Sequence, residues 1–272
     1  MRRWGHAALA GALLTGLGAS RAQAYVRSTT DAGAPFHWNE TCVPITIYLN
    51  DFTTTSAASG MTPTDAIKSV TAAAHTWSTD AVTCPGTAAT NPSLEIVPSV
   101  APDAAAPPKV AWDAKNSIIF RTDMWTKSGE PTTDPGNMYA YEALAVTTVT
   151  ARGDGHIVDA DMEINAVNKV WMNLDPGIYP PSDHGLGSDV YDLQNALTHE
   201  FGHFVGLAHT CFVPSLSNPL VDDNGQIRPM DDQGKPIPDC DSAPSAVINT
   251  VMFASTDPGS TSKRTLSPDD VA

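Results

Sequence analysis

The residues best suited to chemistry lie in the segment LTHEFGHFVGLAHT. His199 and His203 are four residues apart, so on a helix both imidazoles lie on one face and can reach one metal ion. Gly206 has no Cβ and can take the left-handed conformation that ends a helix and brings His209 toward the other two. Three neutral imidazoles leave one coordination position open, which is typical of a catalytic zinc rather than a closed structural site.

Glu200 follows the first histidine, where its carboxylate can reach a metal-bound water without binding the metal. The alternative is a buried amphipathic helix with incidental histidines. The pattern H-E-x-x-H-x-x-G-x-x-H specifies five positions at once, which disfavours that alternative. We therefore predict a zinc site formed by His199, His203 and His209, with Glu200 as the general base.

Hydrophobic periodicity predicts the elements that position this site. Thr62 as N-cap, Pro63 at the first helical position and Asp65 in a capping box mark the start of a helix, and Trp77 on its apolar face is predicted to be a core residue. The helix that carries the histidines is predicted to begin after Ser188. Strands are predicted, from alternation and β-branched content, at residues 43–49, 94–97, 117–120, 143–150 and 157–164.

One face of the last predicted strand is acidic. Asp159, Asp161 and Glu163 alternate with apolar residues and so point to the same side. A solvated acidic face accounts for this pattern. A calcium site completed by Asp154 is the alternative, because hard cations prefer clustered carboxylate and carbonyl oxygens.

The first residues are typical of an export signal. Arg2 and Arg3 precede an apolar stretch and an A-x-A cleavage site at residues 22–24, so we predict a signal peptide over residues 1–24 and a secreted, extracellular protein. Cleavage would move the net charge from −15 to −18. A surface this acidic argues against nucleic acid or an anionic membrane as a partner.

Four cysteines in an exported chain are most simply two disulfides. Three connectivities are open. We favour Cys42–Cys84 and Cys211–Cys240, because each bridge would then fasten a local unit.

On these residues the chain resembles the matrixin-like metzincins, which are secreted zinc endopeptidases. The resemblance rests on HEFGHFVGLAHT, on the strand around residues 144–146, on DADMEIN at 159–165 and on VMFAS at 251–255. It implies an α+β fold, with a twisted, mostly parallel five-stranded sheet packed on two long helices and a zinc cleft. A third, C-terminal helix would begin at Ser267 and be cut short, which predicts marginal stability.

The resemblance also implies a domain division and further roles. Residues 25–37 form a short N-terminal segment, and residues 38–272 form the catalytic domain with an insertion at about 210–250. Met252 would be the methionine of the turn beneath the zinc, although an ordinary core methionine is the alternative. The edge strand near 143–146 would pair with extended peptide substrate. The histidine-rich structural zinc loop of the family is not recognisable in this chain.

Together these features predict a zinc-dependent endopeptidase that uses a zinc-activated water with Glu200 as general base. We expect Zn²⁺ as catalytic cofactor, Ca²⁺ as a structural candidate, an extended peptide or protein substrate, no membrane span and a monomer. The alternative function is a non-catalytic secreted binding or adhesion protein that keeps a metal site. Glu200 argues against it, because a protein without turnover would be free to lose that residue.

Overall fold

The computed structural model describes residues 26–40, 42–49, 52, 61–78, 95–101, 110, 112–174, 189–215, 218–222, 227–231, 234–267 and 270. The predicted signal peptide and Cys84 lie outside these residues. Among the described residues, no helix is long and apolar enough to cross a membrane.

The fold is α+β, with a five-stranded, mostly parallel sheet packed on two helices. In chain order the elements are β1 (Cys42–Tyr48), α1 (Pro63–Ser78), β2 (Glu95–Val100), β3 (Ser117–Arg121), β4 (Ala145–Ala151), β5 (Ile157–Asn165), β6 (Val170–Met172), β7 (Val190–Asp192), α2 (Leu193–Phe204) and the short α3 (Ser245–Ile248). The strand order is β2-β1-β3-β5-β4, and only β4 runs antiparallel to its neighbour. The fold class predicted from the resemblance is confirmed.

Helix α1 begins where its capping residues predict. The Thr62 backbone N–H donates to Asp65 Oδ2 at 3.2 Å, and the Asp65 N–H donates to Thr62 Oγ1 at 3.2 Å, which completes the predicted capping box. Near the other end of the helix, Trp77 Nε1 donates to the Thr198 carbonyl at 2.7 Å. This bond fastens α1 to the middle of α2, one residue before His199.

The main core lies between the sheet and the two helices. Its strand residues follow the predicted alternation on β1, whereas β3 is buried along its whole length, as expected for a central strand. Phe201 and Phe204 of α2 and Trp171 of β6 are fully buried in the same cluster. The parallel pair β6–β7, which the sequence did not predict, leads directly into α2.

The start of α2 differs from the prediction. The helix begins at Leu193, and its N-cap is Asp192, whose side chain accepts from the Asn195 backbone N–H at 2.7 Å. Ser188, the predicted cap, lies outside the described residues. Arg264 Nε donates to Asp192 Oδ1 at 2.9 Å, so a distant loop also holds this helix start.

The excursion over residues 210–250 is closed by the predicted Cys211–Cys240 disulfide. Inside it, Arg228 lies over the Phe212 ring and forms a salt bridge with Asp239, so these side chains organise the loop together with isolated backbone bridges. Cys42 is exposed and forms no disulfide with another cysteine of the described part of the chain. Since Cys84 lies outside the described residues, the Cys42–Cys84 pairing stays a prediction.

Near the C-terminus, the Ser267 N–H donates to Asp270 Oδ2 at 2.7 Å, as in a capping box. Asp270 also accepts from the Val251 N–H at 3.0 Å, next to Met252. The helix predicted after Ser267 falls largely on residues outside the description.

Candidate metal centre

The structure brings the three predicted histidines together. His209 Nε2 lies 3.1 Å from Nε2 of His199 and 3.1 Å from Nε2 of His203. Tetrahedral zinc with Zn–N bonds of roughly 2.0–2.1 Å would hold its nitrogens about 3.3 Å apart. Among the described residues, this is the only group of three or more His, Cys, Asp or Glu whose ligand atoms lie close enough to share an ion. The group could therefore hold a metal ion.

The other ring nitrogens set the tautomers that such a site needs. His199 Nδ1 donates to the Val251 carbonyl at 2.7 Å, and His203 Nδ1 donates to the Leu207 carbonyl at 2.8 Å. A carbonyl can only accept, so the proton is on Nδ1 and the Nε2 lone pair faces the centre. Burial lowers the pKa of His199 and His209 well below the usual histidine value, which keeps both imidazoles neutral.

Gly206 makes the turn that returns His209 to the site. Its φ is +95°, and a Cβ at this position would lie 2.7 Å from the Phe36 carbonyl oxygen. The N-terminal segment crosses the same turn, because the Ser28 N–H donates to the Gly206 carbonyl at 2.9 Å and the Ala208 N–H donates to the Val26 carbonyl at 3.0 Å. The turn is therefore held on both sides.

Met252 is buried and packs against the histidine helix. A Cβ at Gly202, between the first two histidines, would lie 2.1 Å from Met252 Sδ. The Met252 carbonyl accepts from the Thr210 N–H at 3.0 Å, one residue after His209. This close approach explains why Gly202 has no side chain, a requirement that the sequence alone did not reveal.

Glu200 is buried beside the histidines, and burial raises the pKa of its carboxyl group. Thr147 Oγ1 on β4 donates to Glu200 Oε2 at 2.5 Å. This hydrogen bond joins β4 to α2 at the only carboxylate of the predicted zinc site.

Lys263 is a buried charge near the centre that the sequence analysis missed. Its Nζ donates to the Phe253 carbonyl and lies 3.4 Å from His199 Nδ1. Burial lowers the pKa of Lys263 to about 8. A lone lysine in a single 3-10 turn gives no periodic signal, so the sequence offered nothing that could have placed it here.

The four acids proposed for calcium are not brought together. The Lys115 N–H donates to Asp159 Oδ1 at 2.9 Å, Ser117 Oγ donates to Asp161, and Asp154 lies in the turn before β5. Arg121 Nε donates to Glu163 Oε1 at 2.6 Å, and Tyr139 OH donates to Glu163 Oε2 at 2.6 Å.

Asp159, Asp161 and Glu163 are also buried, so the solvated-face interpretation is wrong. Protein donors satisfy these carboxylates, and the calcium interpretation gains no support from the structure.

The fold and the centre together define an α+β protein with a three-histidine group suited to a metal ion. A scan against protein-family models finds no match to this chain, and a search of curated proteins finds no similar protein. Function is therefore inferred from the residues of the centre.

Proposed function

We propose that this protein is a secreted zinc-dependent endopeptidase. The observation that carries the proposal is the convergence of three Nε2 atoms beside a buried carboxylate, Glu200, that the histidines do not use. Three imidazoles leave a coordination position for water and substrate, as in catalytic zinc sites. The Cys211–Cys240 disulfide and the signal-like first residues support secretion.

Zinc, when bound, would polarise the scissile carbonyl and lower the pKa of a water molecule toward ~7. His199, His203 and His209 would hold it, and backbone carbonyls set the tautomers of His199 and His203. Glu200 would accept the proton of that water and deliver it to the leaving amine. Met252 would support the centre from below, where it packs against α2 at Gly202.

The substrate is proposed to be an extended peptide. Strand β4 lies at one edge of the sheet, in order β2-β1-β3-β5-β4, and α2 lies beside it. An extended chain that adds to this edge would run past Glu200, since Thr147 of β4 contacts that side chain. Strand addition recognises backbone, which suits an endopeptidase.

The test compares zinc content with cleavage of an unstructured protein, with and without a chelator. Glu200→Gln keeps the shape and removes the base. It should retain about one zinc per chain, since three histidines remain, and lose peptidase activity on the order of a hundredfold or more. Glu130→Gln, an exposed carboxylate outside the centre, serves as matched control and should cut like the parent.

Two outcomes would contradict the proposal. If Glu200→Gln cuts as fast as the parent, the assigned base is wrong. If the zinc-loaded parent cuts nothing in a broad peptide library, the non-catalytic binding function replaces the endopeptidase.

A further inference from the structure

We propose that Thr147 is a positioning residue that orients the Glu200 carboxylate for proton transfer. This inference rests on the proposed function, because it assigns a task to a neighbour of the proposed base. Thr147 Oγ1 lies 2.5 Å from Glu200 Oε2 and donates a hydrogen bond to it. The same hydroxyl lies 3.4 Å from the Glu200 main-chain carbonyl oxygen, so the carboxylate is the much closer of its two acceptors and takes the hydroxyl proton.

The position of Thr147 on β4 is unexpected for packing alone. Ala145 and Val149, two residues before and after it, pack against the main hydrophobic core. Side chains at this spacing point to the same face of a strand, so Thr147 places a hydroxyl on a face that is otherwise apolar. An apolar residue would fill this place more simply.

The Glu200 carboxylate, which accepts this hydrogen bond, is buried and needs a donor. Glu200 is 6% exposed and lies on a helix whose neighbouring positions are buried. A buried carboxylate with no donor would be costly and free to choose its rotamer. The bond from Thr147 holds Oε2 and so leaves Oε1 as the oxygen that can meet the proton of the attacking water.

The contact also joins two parts of the proposed site. β4 is the edge strand proposed to bind the substrate backbone, and α2 carries the histidines. Thr147 pairs with Met162 in the sheet, so its backbone position is fixed by the register of β4 on β5. The base is therefore aligned relative to the strand that aligns the substrate, which is what a short proton transfer requires.

The test is a kinetic comparison of Thr147→Val and Thr147→Ser. Valine keeps the branched shape and removes the hydroxyl, whereas serine keeps the hydroxyl. A lost hydrogen bond to a charged group predicts a fall in kcat of about ten- to a hundredfold for Thr147→Val, with KM and zinc content unchanged. Thr147→Ser should recover most of the rate. Thr71→Val removes an exposed hydroxyl on α1 and should cut like the parent.

One double variant, Glu200→Gln/Thr147→Val, separates positioning from packing. In a Glu200→Gln background, Thr147→Val should cause no further loss of the residual rate, because residues that act as a unit are not additive. Urea unfolding of the parent, Thr147→Val, Glu200→Gln and the double variant, all zinc-loaded, should show non-additive midpoints. This readout does not depend on activity.

The outcomes distinguish this inference from the proposed function. A parent that cuts, beside a Thr147→Val variant that cuts equally fast, overturns the role of Thr147 alone. Equal losses in the serine and valine variants, or an undiminished loss in the Glu200→Gln background, also overturn it. Absence of cleavage by the parent overturns the endopeptidase and the positioning role together. Additive unfolding midpoints would show that Thr147 and Glu200 are not energetically coupled.

Discussion

The histidine group and the acidic row of β5 (Asp159, Asp161 and Glu163) both offer side chains that bind metals, but only the histidines converge. On α2, a spacing of four residues stacks two imidazoles on one face, and the turn at Gly206 returns the third. On β5, successive same-face positions are separated by about 6.5–7 Å along an extended chain, and nothing folds back.

The two regions also differ in what surrounds them. The Nδ1 atoms of His199 and His203 meet carbonyls, which directs their free lone pairs to one point. Each acid of the row instead meets a different protein donor. Residues of metal-binding types therefore form a site only where the backbone brings their side chains together and no protein donor occupies their lone pairs.

The largest effect is expected from breaking the convergence. His203→Ala removes one of three imidazoles, and two hold zinc poorly in an open site, so zinc content should fall from about one per chain to near zero. Elemental analysis after dialysis measures this. His75→Ala, an exposed histidine on α1, should retain zinc like the parent.

Zinc should also stabilise the parent and not His203→Ala, because a ligand bound only by the folded state adds about 4 kcal/mol at a thousand times its Kd. Differential scanning calorimetry with and without zinc supplies this second readout. Equal zinc content in His203→Ala and His75→Ala would contradict the assignment of the ligands.

In the acidic row, loss of a protein partner should lower the free energy of unfolding. Arg121→Met leaves Glu163, which is 0% exposed, without its guanidinium. An uncompensated buried charge typically lowers the free energy of unfolding by about 3–5 kcal/mol. The double variant Arg121→Met/Glu163→Gln should recover part of that loss, as measured by urea unfolding. Equal stability of the two variants would show that the pair is not what stabilises this region.

Lys263 is a buried basic residue beside the histidine group, and its Nζ donates to the Phe253 carbonyl. Burial lowers its pKa to about 8 in the folded protein, from 10.5. The unfolded chain therefore binds more protons between these values, and the stability contributed by the neutral amine is present above pH 10.5 and lost as the pH falls through 8.

Relative to that of Lys263→Met, the free energy of unfolding of the parent should thus rise by up to about 3 kcal/mol as the pH rises through this window. Urea unfolding of both zinc-loaded proteins from pH 7 to 10 measures the difference. A constant difference across that range would contradict the depressed pKa of Lys263.

Local and periodic features were predictable from the sequence, and long-range contacts were not. The histidine motif, the capping box at Thr62 and the strand alternation each depend on neighbours within a few residues. The approach of Thr147 to Glu200, and of Met252 to Gly202, joins residues far apart in the chain. No spacing rule reports such contacts.

The acidic row shows the same limit. Its alternation was predicted correctly, but alternation gives only the face of a strand and not what covers that face. Arg121 and Tyr139, which bury Glu163, come from separate parts of the chain. The start of α2 was missed for a related reason, because Asp192 ends a short strand that carried no periodic signal.

The smallest effect is expected from calcium. To bind the acidic row, calcium would have to displace the Lys115 amide, the Ser117 hydroxyl and the Arg121 guanidinium, each already paired with a carboxylate. Burial raises the pKa of Asp159, which further disfavours a charged ligand there. Millimolar calcium should therefore change the melting temperature of the zinc-loaded protein no more than magnesium at equal ionic strength. A calcium-specific rise of about 2 °C or more would indicate calcium binding by mass action. Loss of that rise in Asp161→Asn would assign the binding to the acidic row, which would then be a metal site like the histidine group.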